Sequence, residues 1–198
     1  MPPPRHLLVG LFAGLAWLGA RAAVAPATPE SGEPPLTKAI QIRSLTSEEA
    51  LRGLPVRIRG TVIFIAAQQD VFVQDDTAGT FFRTDRAAGL KPGDVIEVEG
   101  KTHAGLYLPG IGPSPYRVVG YGPLPEAVRV SAEDLRSGRF HYQRVAAEGV
   151  VRAGRRLPDG RMALKVGATS PWIEVRVESG EGSGLASFVG AEIRAEGL

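Results

Sequence analysis

The stretch DVFVQDDTAGTFFRTD at residues 70–85 carries the side chains best suited to recognise a ligand. Side chains alternate between the two faces of a strand. If the valines at 71 and 73 face the interior of the protein, the residues that alternate with them lie on the outer face. The predicted outer patch is Phe72, Gln74, Phe81 and Arg83. Two aromatic rings beside a guanidinium could stack a base, a sugar or another planar ligand. The alternative is that the phenylalanines pack against the preceding helix or the other half of the chain.

Enzyme chemistry finds little support in the residue types and their spacing. Asp75 and Asp76 are adjacent in a turn, where aspartate is ordinary turn chemistry and the two side chains diverge. The three histidines, His6, His103 and His141, are far apart in sequence and match no metal motif. GEGSG at 180–184 lacks the Lys-Ser/Thr of a phosphate loop, and no G-x-S-x-G is present. We therefore predict no catalytic residues, no metal and no cofactor.

Composition narrows the range of partners. The formal charge is only +2, although the sequence pI is about 9.1. The best basic cluster is Arg152, Arg155, Arg156 and Arg161, placed at a predicted hairpin tip where solvated charge is ordinary. Arginines elsewhere alternate with acidic residues instead of lining one groove, which disfavours a nucleic-acid partner. The absence of cysteine excludes disulfides and a lipid-anchored cysteine.

The N-terminus has the organisation of a secretory signal peptide. Arg5 and His6 precede an apolar run at 7–20, and Ala20-Arg21-Ala22 supplies a small-residue cleavage pattern. The run is shorter than the roughly 20 residues of a spanning helix, although an uncleaved anchor is the alternative. We assign residues 1–22 to the signal and the Pro-rich residues 23–38 to a disordered linker. The remaining chain is expected in the periplasm or outside the cell.

Two segments of the chain repeat in the same order. VRIRGTV at 56–62 corresponds to VAAEGVV at 145–151, and GDVIEVEG at 93–100 corresponds to GAEIRAEG at 190–197. A helix-capping pattern precedes each first segment, at Thr46 in one half and Ser131 in the other. Repeats in one order indicate a tandem duplication. We place the first unit at 39–122 and the second at 123–198.

Each unit is expected to be all-β. In the first, Val56, Ile58, Gly60, Val62 and Phe64 are predicted to share one face of a strand bent at its glycine. Strands at 70–75, 80–84, 93–100 and about 116–121 should follow. Five short strands with a long, bent first strand are typical of an OB-like barrel, with a generic barrel or sandwich as the alternative. The second unit stops at Leu198, so it is predicted to lack its closing strand.

Three phrases carry a resemblance to a known family: IRSLTSEEALRGLPVRIRGTV, VFVQDDTAGTFF and LKPGDVIEVEG. Together they resemble the periplasmic tandem OB-like region at the N-terminus of bacterial two-component sensor proteins of the histidine kinase type. The resemblance covers residues 39–198. It implies a sensory or interaction module, with a transmembrane helix and an output domain after it, and no catalytic residues. The chain is thus expected to be a fragment of such a protein, or else a protein whose open barrel is covered by a partner.

The predicted function is a non-enzymatic, extracytoplasmic sensory or protein-interaction module, as the input region of a bacterial signalling protein. Its partner would be an unknown small ligand or a protein. The alternative is an OB-type protein that binds single-stranded nucleic acid or oligosaccharide. Contact with a membrane would come only through the signal peptide or a missing C-terminal segment.

Overall fold

A computed structural model describes residues 33–66, 69–167, 172–177 and 188–198. Its helices are α1 (Ala39–Arg43), α2 (Ser47–Leu51) and α3 (Ala132–Arg136). Its strands are β1 (Pro55–Ile65), β2 (Asp70–Gln74), β3 (Gly79–Arg83), β4 (Asp94–His103), β5 (Gly110–Pro113), β6 (Tyr116–Tyr121), β7 (Val128–Arg129), β8 (Val145–Arg156), β9 (Met162–Val166), β10 (Ile173–Val177) and β11 (Glu192–Gly197). The predicted signal peptide lies outside the described residues.

Strands β1 to β5 close into a barrel. Their order is β1-β2-β3-β5-β4, and β4 pairs back onto β1. All these pairings are antiparallel except β3 with β5, which is parallel. The closed five-strand Greek-key barrel is that of an OB fold, so the predicted fold class of the first unit is confirmed. Its core is formed by alternating inward residues, among them Ile58, Val73, Phe82 and Ile96, which are at most 2% exposed.

The predicted strand at about 116–121 is present, but it is not one of the five strands that close the first barrel. Residues 116–121 form β6, which pairs with the edge of β4 that is opposite the edge paired with β1. The barrel is closed instead by β5, whose Ile111 is 1% exposed. Two glycines in the four residues of β5 erase the alternating pattern that marks a strand. Gly110 is needed there because a Cβ at that position would overlap the ring of Phe81.

A bulge in β1 changes which face its last residues occupy. The register with β2 shifts between Val62 and Phe64, so Val62 faces the core while Phe64 contacts Phe72 on the outside, with ring centroids 5.9 Å apart. The prediction that Phe64 shares one face of the strand with Val62 was therefore wrong. An extra residue in one strand reverses the alternation of side chains beyond it. The periodicity of the sequence did not predict this bulge.

The second half of the chain is an open, curled sheet. Its order is β10-β9-β8-β11, with β7 parallel to β8. Val151, Leu164 and Val166 form its buried centre, against which Val175 and Ile193 pack partly buried. Within the described residues no strand joins β10 to β11. The expectation of a second, incomplete barrel is confirmed as an open half-barrel.

The duplication is visible in the strand register. Val56 lies opposite Gly100 in the first half, and the corresponding Val145 lies opposite Gly197 in the second. The turn before the last strand is also repeated. Gly93 N–H donates to the Val62 carbonyl at 2.9 Å, and Gly190 N–H donates to the Val151 carbonyl at 2.8 Å.

One cross-strand charge pair is exchanged between the two halves. Arg59 lies opposite Glu97 in the first half. At the corresponding position of the second half, Glu148 lies opposite Arg194. The backbone pairing has therefore been kept while the signs of the two charges have been reversed.

Both predicted helix caps are present. The hydroxyl of Thr46 accepts the Glu49 N–H at 3.2 Å, while the Glu49 carboxylate accepts the Thr46 N–H at 2.8 Å. Ser131 and Asp134 form the same reciprocal pair ahead of α3. Among the described residues, no helix is long and apolar enough to cross a membrane.

Candidate functional site

The outer face of the β2–β3 hairpin holds an aromatic socket, which we define as Phe64, Phe72 and Phe81. The rings of Phe72 and Phe81 lie 6.2 Å apart. Tyr142, from the second half of the chain, packs against both, at 5.4 Å from Phe72 and 5.2 Å from Phe81. The two phenylalanines of the predicted patch are thus brought together, and the ring that packs against them, Tyr142, belongs to the same chain.

The other two predicted patch residues diverge. Gln74 is 9% exposed, and its amide oxygen accepts the backbone N–H of Arg144 at 2.8 Å. Arg83 lies opposite Asp70 and forms an ion pair with it at 2.9 Å. Phe72, Gln74 and Phe81 therefore all contact residues between α3 and β8, whereas Arg83 does not join that contact. A ligand-binding role for the four residues stays a prediction.

The docking segment, residues 139–144, has no counterpart in the first half. Only Leu54 lies between Gly53 and β1 in the first half, whereas the six residues 139–144 lie between Gly138 and β8 in the second. The Arg43 guanidinium donates to the carbonyls of Gly138, Arg139 and His141, which binds α1 to the end of α3. Burial lowers the pKa of Arg43, since desolvation disfavours its charge.

Two backbone features shape the docking contact. Tyr142 has a φ of 64°, a left-handed conformation that costs a non-glycine residue about 1–2 kcal/mol. Gly79 lies against it, and a Cβ there would overlap the Tyr142 carbonyl oxygen. Burial also raises the pKa of the Tyr142 phenol, opposed by a hydrogen bond from the Leu108 backbone. Tyr142 and Gly79 are therefore in close contact. The sequence could not predict this contact, because the two residues are far apart in the chain.

An exposed rim adjoins the socket. Tyr107 and Leu106, in the loop between β4 and β5, are 72% and 84% exposed. The Tyr107 ring lies 6.0 Å from the His141 ring. The other histidine, His103, accepts the Gly105 N–H at 3.0 Å through Nδ1. Among the residues that the structure describes, no group of three or more His, Asp or Glu side chains could hold a metal ion.

The turn at Asp75 and Asp76 is a cap for a distant helix. Asp75 Oδ2 accepts the Ala39 N–H of α1 at 2.8 Å, and its Oδ1 accepts the Thr77 N–H at 2.7 Å and the Ala78 N–H at 3.0 Å. Asp76 instead forms an exposed ion pair with Lys38. Burial opposes ionisation of Asp75, but these hydrogen bonds outweigh it and hold its pKa below the ordinary 3.8. The two aspartates thus stabilise this turn and its contact with α1.

The second half presents the same outer face with different chemistry. By strand register, Lys165 stands where Phe72 does and Glu174 where Phe81 does. The Lys165 ammonium lies 4.1 Å from the centre of the Trp172 ring. Sequence reasoning missed Trp172 because the duplication was compared only along β1, β4, β8 and β11. Extending that comparison to the hairpins would have found the substitution of charge for aromatic residues.

The charges on this face are linked. Arg155 and Arg176 each contact the Glu174 carboxylate at 3.0 Å. Their hydrogen bonds, that from Arg176 first, lower the pKa of Glu174. A cavity of about 360 Å³ is lined by Arg155, Lys165, Trp172 and Glu174, among others. In the predicted basic cluster, Arg155 thus contacts Glu174 through one guanidinium nitrogen, and Arg152 donates to the Gly167 carbonyl at 3.0 Å.

These features define a class: a tandem β protein with one closed OB-type barrel and one open half-barrel, joined through an aromatic contact. No protein-family model matches the chain, and no curated protein matches it. Among solved structures, the chain is similar to the hypothetical protein YgiW from E. coli, with a TM-score of 0.35 and 19% sequence identity. That match covers 43% of this chain and 91% of the YgiW chain.

Proposed function

We propose that the protein is a non-enzymatic, extracytoplasmic interaction module whose open half-barrel accepts an extended strand from a protein partner. One observation carries the proposal: among the strands that the structure describes, none pairs with the second edge of β10, whereas the equivalent β3 pairs with β5 and closes the first barrel. A strand edge that presents unpaired backbone groups is a template for pairing with another chain.

The interior of the half-barrel supports the same conclusion. Phe82 in β3 is 0% exposed, while Val175 at the equivalent position of β10 is only partly buried. Apolar side chains on the inner face of β10 therefore remain partly accessible. Covering them would add burial at about 25 cal/mol per Å² of apolar surface.

The first barrel shows what kind of strand fits such a gap. In β5 a small residue, an isoleucine and another small residue occur in sequence, and Ile111 reaches the core between β3 and β4. The Ser114 N–H that follows donates to the Arg83 carbonyl at 3.0 Å. By the shared register, the Arg176 carbonyl would accept the corresponding bond. We therefore propose a partner segment with a small–apolar–small pattern.

The location and the sensory role belong to the same proposal. The signal-like N-terminus supports export, and the resemblance to sensor input regions supports signalling. The carboxylates of Asp75, Asp76 and Glu174 described above are engaged in a helix cap and in surface ion pairs, which supports a non-enzymatic role. In such a module, occupation of the open half-barrel would be the event that is sensed.

The test uses a fluorescent peptide that copies residues 107–115, YLPGIGPSP, titrated into the full chain and followed by anisotropy. We expect saturable binding, weakened about tenfold or more by Ile111→Asp in the peptide or by methylation of the Ser114 nitrogen. These changes remove the buried side chain and the backbone donor, respectively.

A pair of protein variants provides the matched control. Val175→Lys places an ammonium in the open half-core and should abolish binding, whereas Glu174→Lys on the opposite face of β10 should leave it unchanged. Circular dichroism checks that both variants fold. The proposal is wrong if the native peptide fails to bind, or if it and the Ile111→Asp peptide bind equally.

A further inference from the structure

We propose that the outer face of β9 and β10 is a binding site for a small ring that carries a carboxylate. The site, which we call the tryptophan face, is built by Trp172, Lys165, Arg155 and Ala153. It is on the side of the sheet opposite the half-core, so it is independent of the strand-accepting edge.

The duplication indicates that this face is suited to a ring. Its equivalent in the first half is the aromatic socket, where the Tyr142 ring is seated 5.4 Å from Phe72 and 5.2 Å from Phe81. That face therefore already holds a six-membered ring, supplied by the docking segment. The second half has an equivalent surface, and among the described residues no ring from another strand or loop covers it.

The substitutions between the two faces change the ring that would fit. Charged Lys165 and Glu174 replace the two phenylalanines, and one aromatic surface is restored by Trp172, which is 40% exposed. A half-exposed indole offers both an apolar face and an electron-rich one. A ring that stacks here would therefore meet charge at its edge.

The sign of that charge selects an anion. Arg155, Lys165 and Arg176 contribute three positive charges, and Glu174 contributes one negative charge. Glu174 lies within 3.0 Å of both arginines, which leaves a net positive charge, and of the three cations Lys165 and Arg155 line the cavity. A carboxylate is bound best by donors of this kind, through charge-assisted hydrogen bonds.

The space over the face matches one ring. The cavity is about 360 Å³, near the lower end of the range for small-ligand sites. Ala153 and Ala163 line it, and Ala153 leaves the room that Phe64 occupies at the equivalent position of the first half. A ring lying on the alanines would contact Trp172 and direct its carboxylate to Lys165 and Arg155.

The experiment measures quenching of tryptophan fluorescence in the full chain, with Trp172→Phe as the baseline because the chain holds two tryptophans. The probes are 4-hydroxybenzoate and galacturonate, which distinguish an aromatic acid from a sugar acid. Their neutral counterparts are 4-hydroxybenzyl alcohol and galactose, and acetate supplies the charge without a ring. We expect saturable quenching by at least one ring carboxylate, and at least about tenfold weaker binding of the controls.

Variants test which residues bind. Lys165→Ala and Arg155→Ala should each weaken the ring carboxylate about tenfold, since each removes a charge-assisted bond. Lys91→Ala is the matched control, because Lys91 also lies over an aromatic ring, 5.1 Å from the centre of Tyr121, but outside the site. The proposal is overturned if neither acid quenches Trp172, if acetate binds equally well, or if Lys91→Ala weakens binding as much as Lys165→Ala.

Discussion

At the scale of single residues, Asp75 shows how much one side chain can organise. It closes its own turn through Thr77 and Ala78, and it caps α1 through Ala39. The turn itself could be predicted from the sequence, because aspartate before a small residue and glycine is ordinary turn chemistry. The cap could not, because its donor lies 36 residues earlier in the chain.

Asp75→Asn should destabilise the protein by about 1–2 kcal/mol at pH 7, since an amide replaces one acceptor oxygen by a donor. The pKa of Asp75 is lower in the folded chain than its ordinary 3.8. Its stabilisation is therefore present above that value and lost as the pH falls through the folded pKa. Urea denaturation at pH 7 and at pH 3 should show the difference between wild type and variant shrinking in acid.

The neighbouring carboxylate supplies the control for that experiment. Asp76 forms only an exposed ion pair with Lys38, and such pairs contribute little to stability. Asp76→Asn should consequently leave the denaturation midpoint almost unchanged at both pH values. An equal loss of stability from both substitutions would contradict the role given to Asp75.

At the scale of elements, the sequence predicted what local chemistry determines. Both helix caps were readable because Thr46 with Glu49, and Ser131 with Asp134, satisfy each other within one turn. β5 and the bulge of β1 were not readable. A glycine-rich strand has no alternation to detect, and a bulge depends on how the partner strand curls.

The two mid-strand glycines provide an element-scale prediction. A Cβ at Gly60 would lie 2.5 Å from Val73 Cγ1 and 2.9 Å from the Gln74 carbonyl oxygen, whereas one at Gly149 would lie 3.0 Å from Val166 Cγ1. Overpacking of a closed core costs about 1–3 kcal/mol. Gly60→Ala should therefore lower the thermal midpoint by several degrees, and Gly149→Ala should lower it less, as measured by calorimetry.

The open half-barrel has more freedom to relax around an added methyl group than the closed barrel does. That difference is what the comparison of the two alanine variants measures. A larger loss for Gly149→Ala than for Gly60→Ala would contradict the assignment of one closed and one open barrel.

At the scale of the whole molecule, the docking segment joins the two halves through Arg43 and Tyr142. Neither residue carried a sequence signal, since both act on partners about 60 to 100 positions away in the chain. The exposed patch predicted at Phe72 and Phe81 was reasoned from strand parity alone. Parity places a side chain on a face, but it says nothing about what lies across from that face.

The wild type should unfold in one thermal transition because this contact couples its halves. Arg43→Ala with Tyr142→Ala should separate the transition into two, with the open half-barrel melting first. Tyr107→Ala is the control: Tyr107 adjoins the contact but is 72% exposed, so one transition should remain. A single transition in the double variant would show that coupling lies elsewhere.

The reversed charge pair bears on how the chain avoids misassembly. Two halves with identical strand register offer each other's strands as wrong partners, both within one molecule and between molecules. If β1 paired with β11 in the same register, Arg59 would face Arg194, and β8 with β4 would set Glu148 against Glu97. Like charges directly opposite each other are unfavourable, whereas the correct pairing joins opposite charges in both halves. The exchange of signs therefore makes pairing between strands of different halves less favourable than the correct pairing.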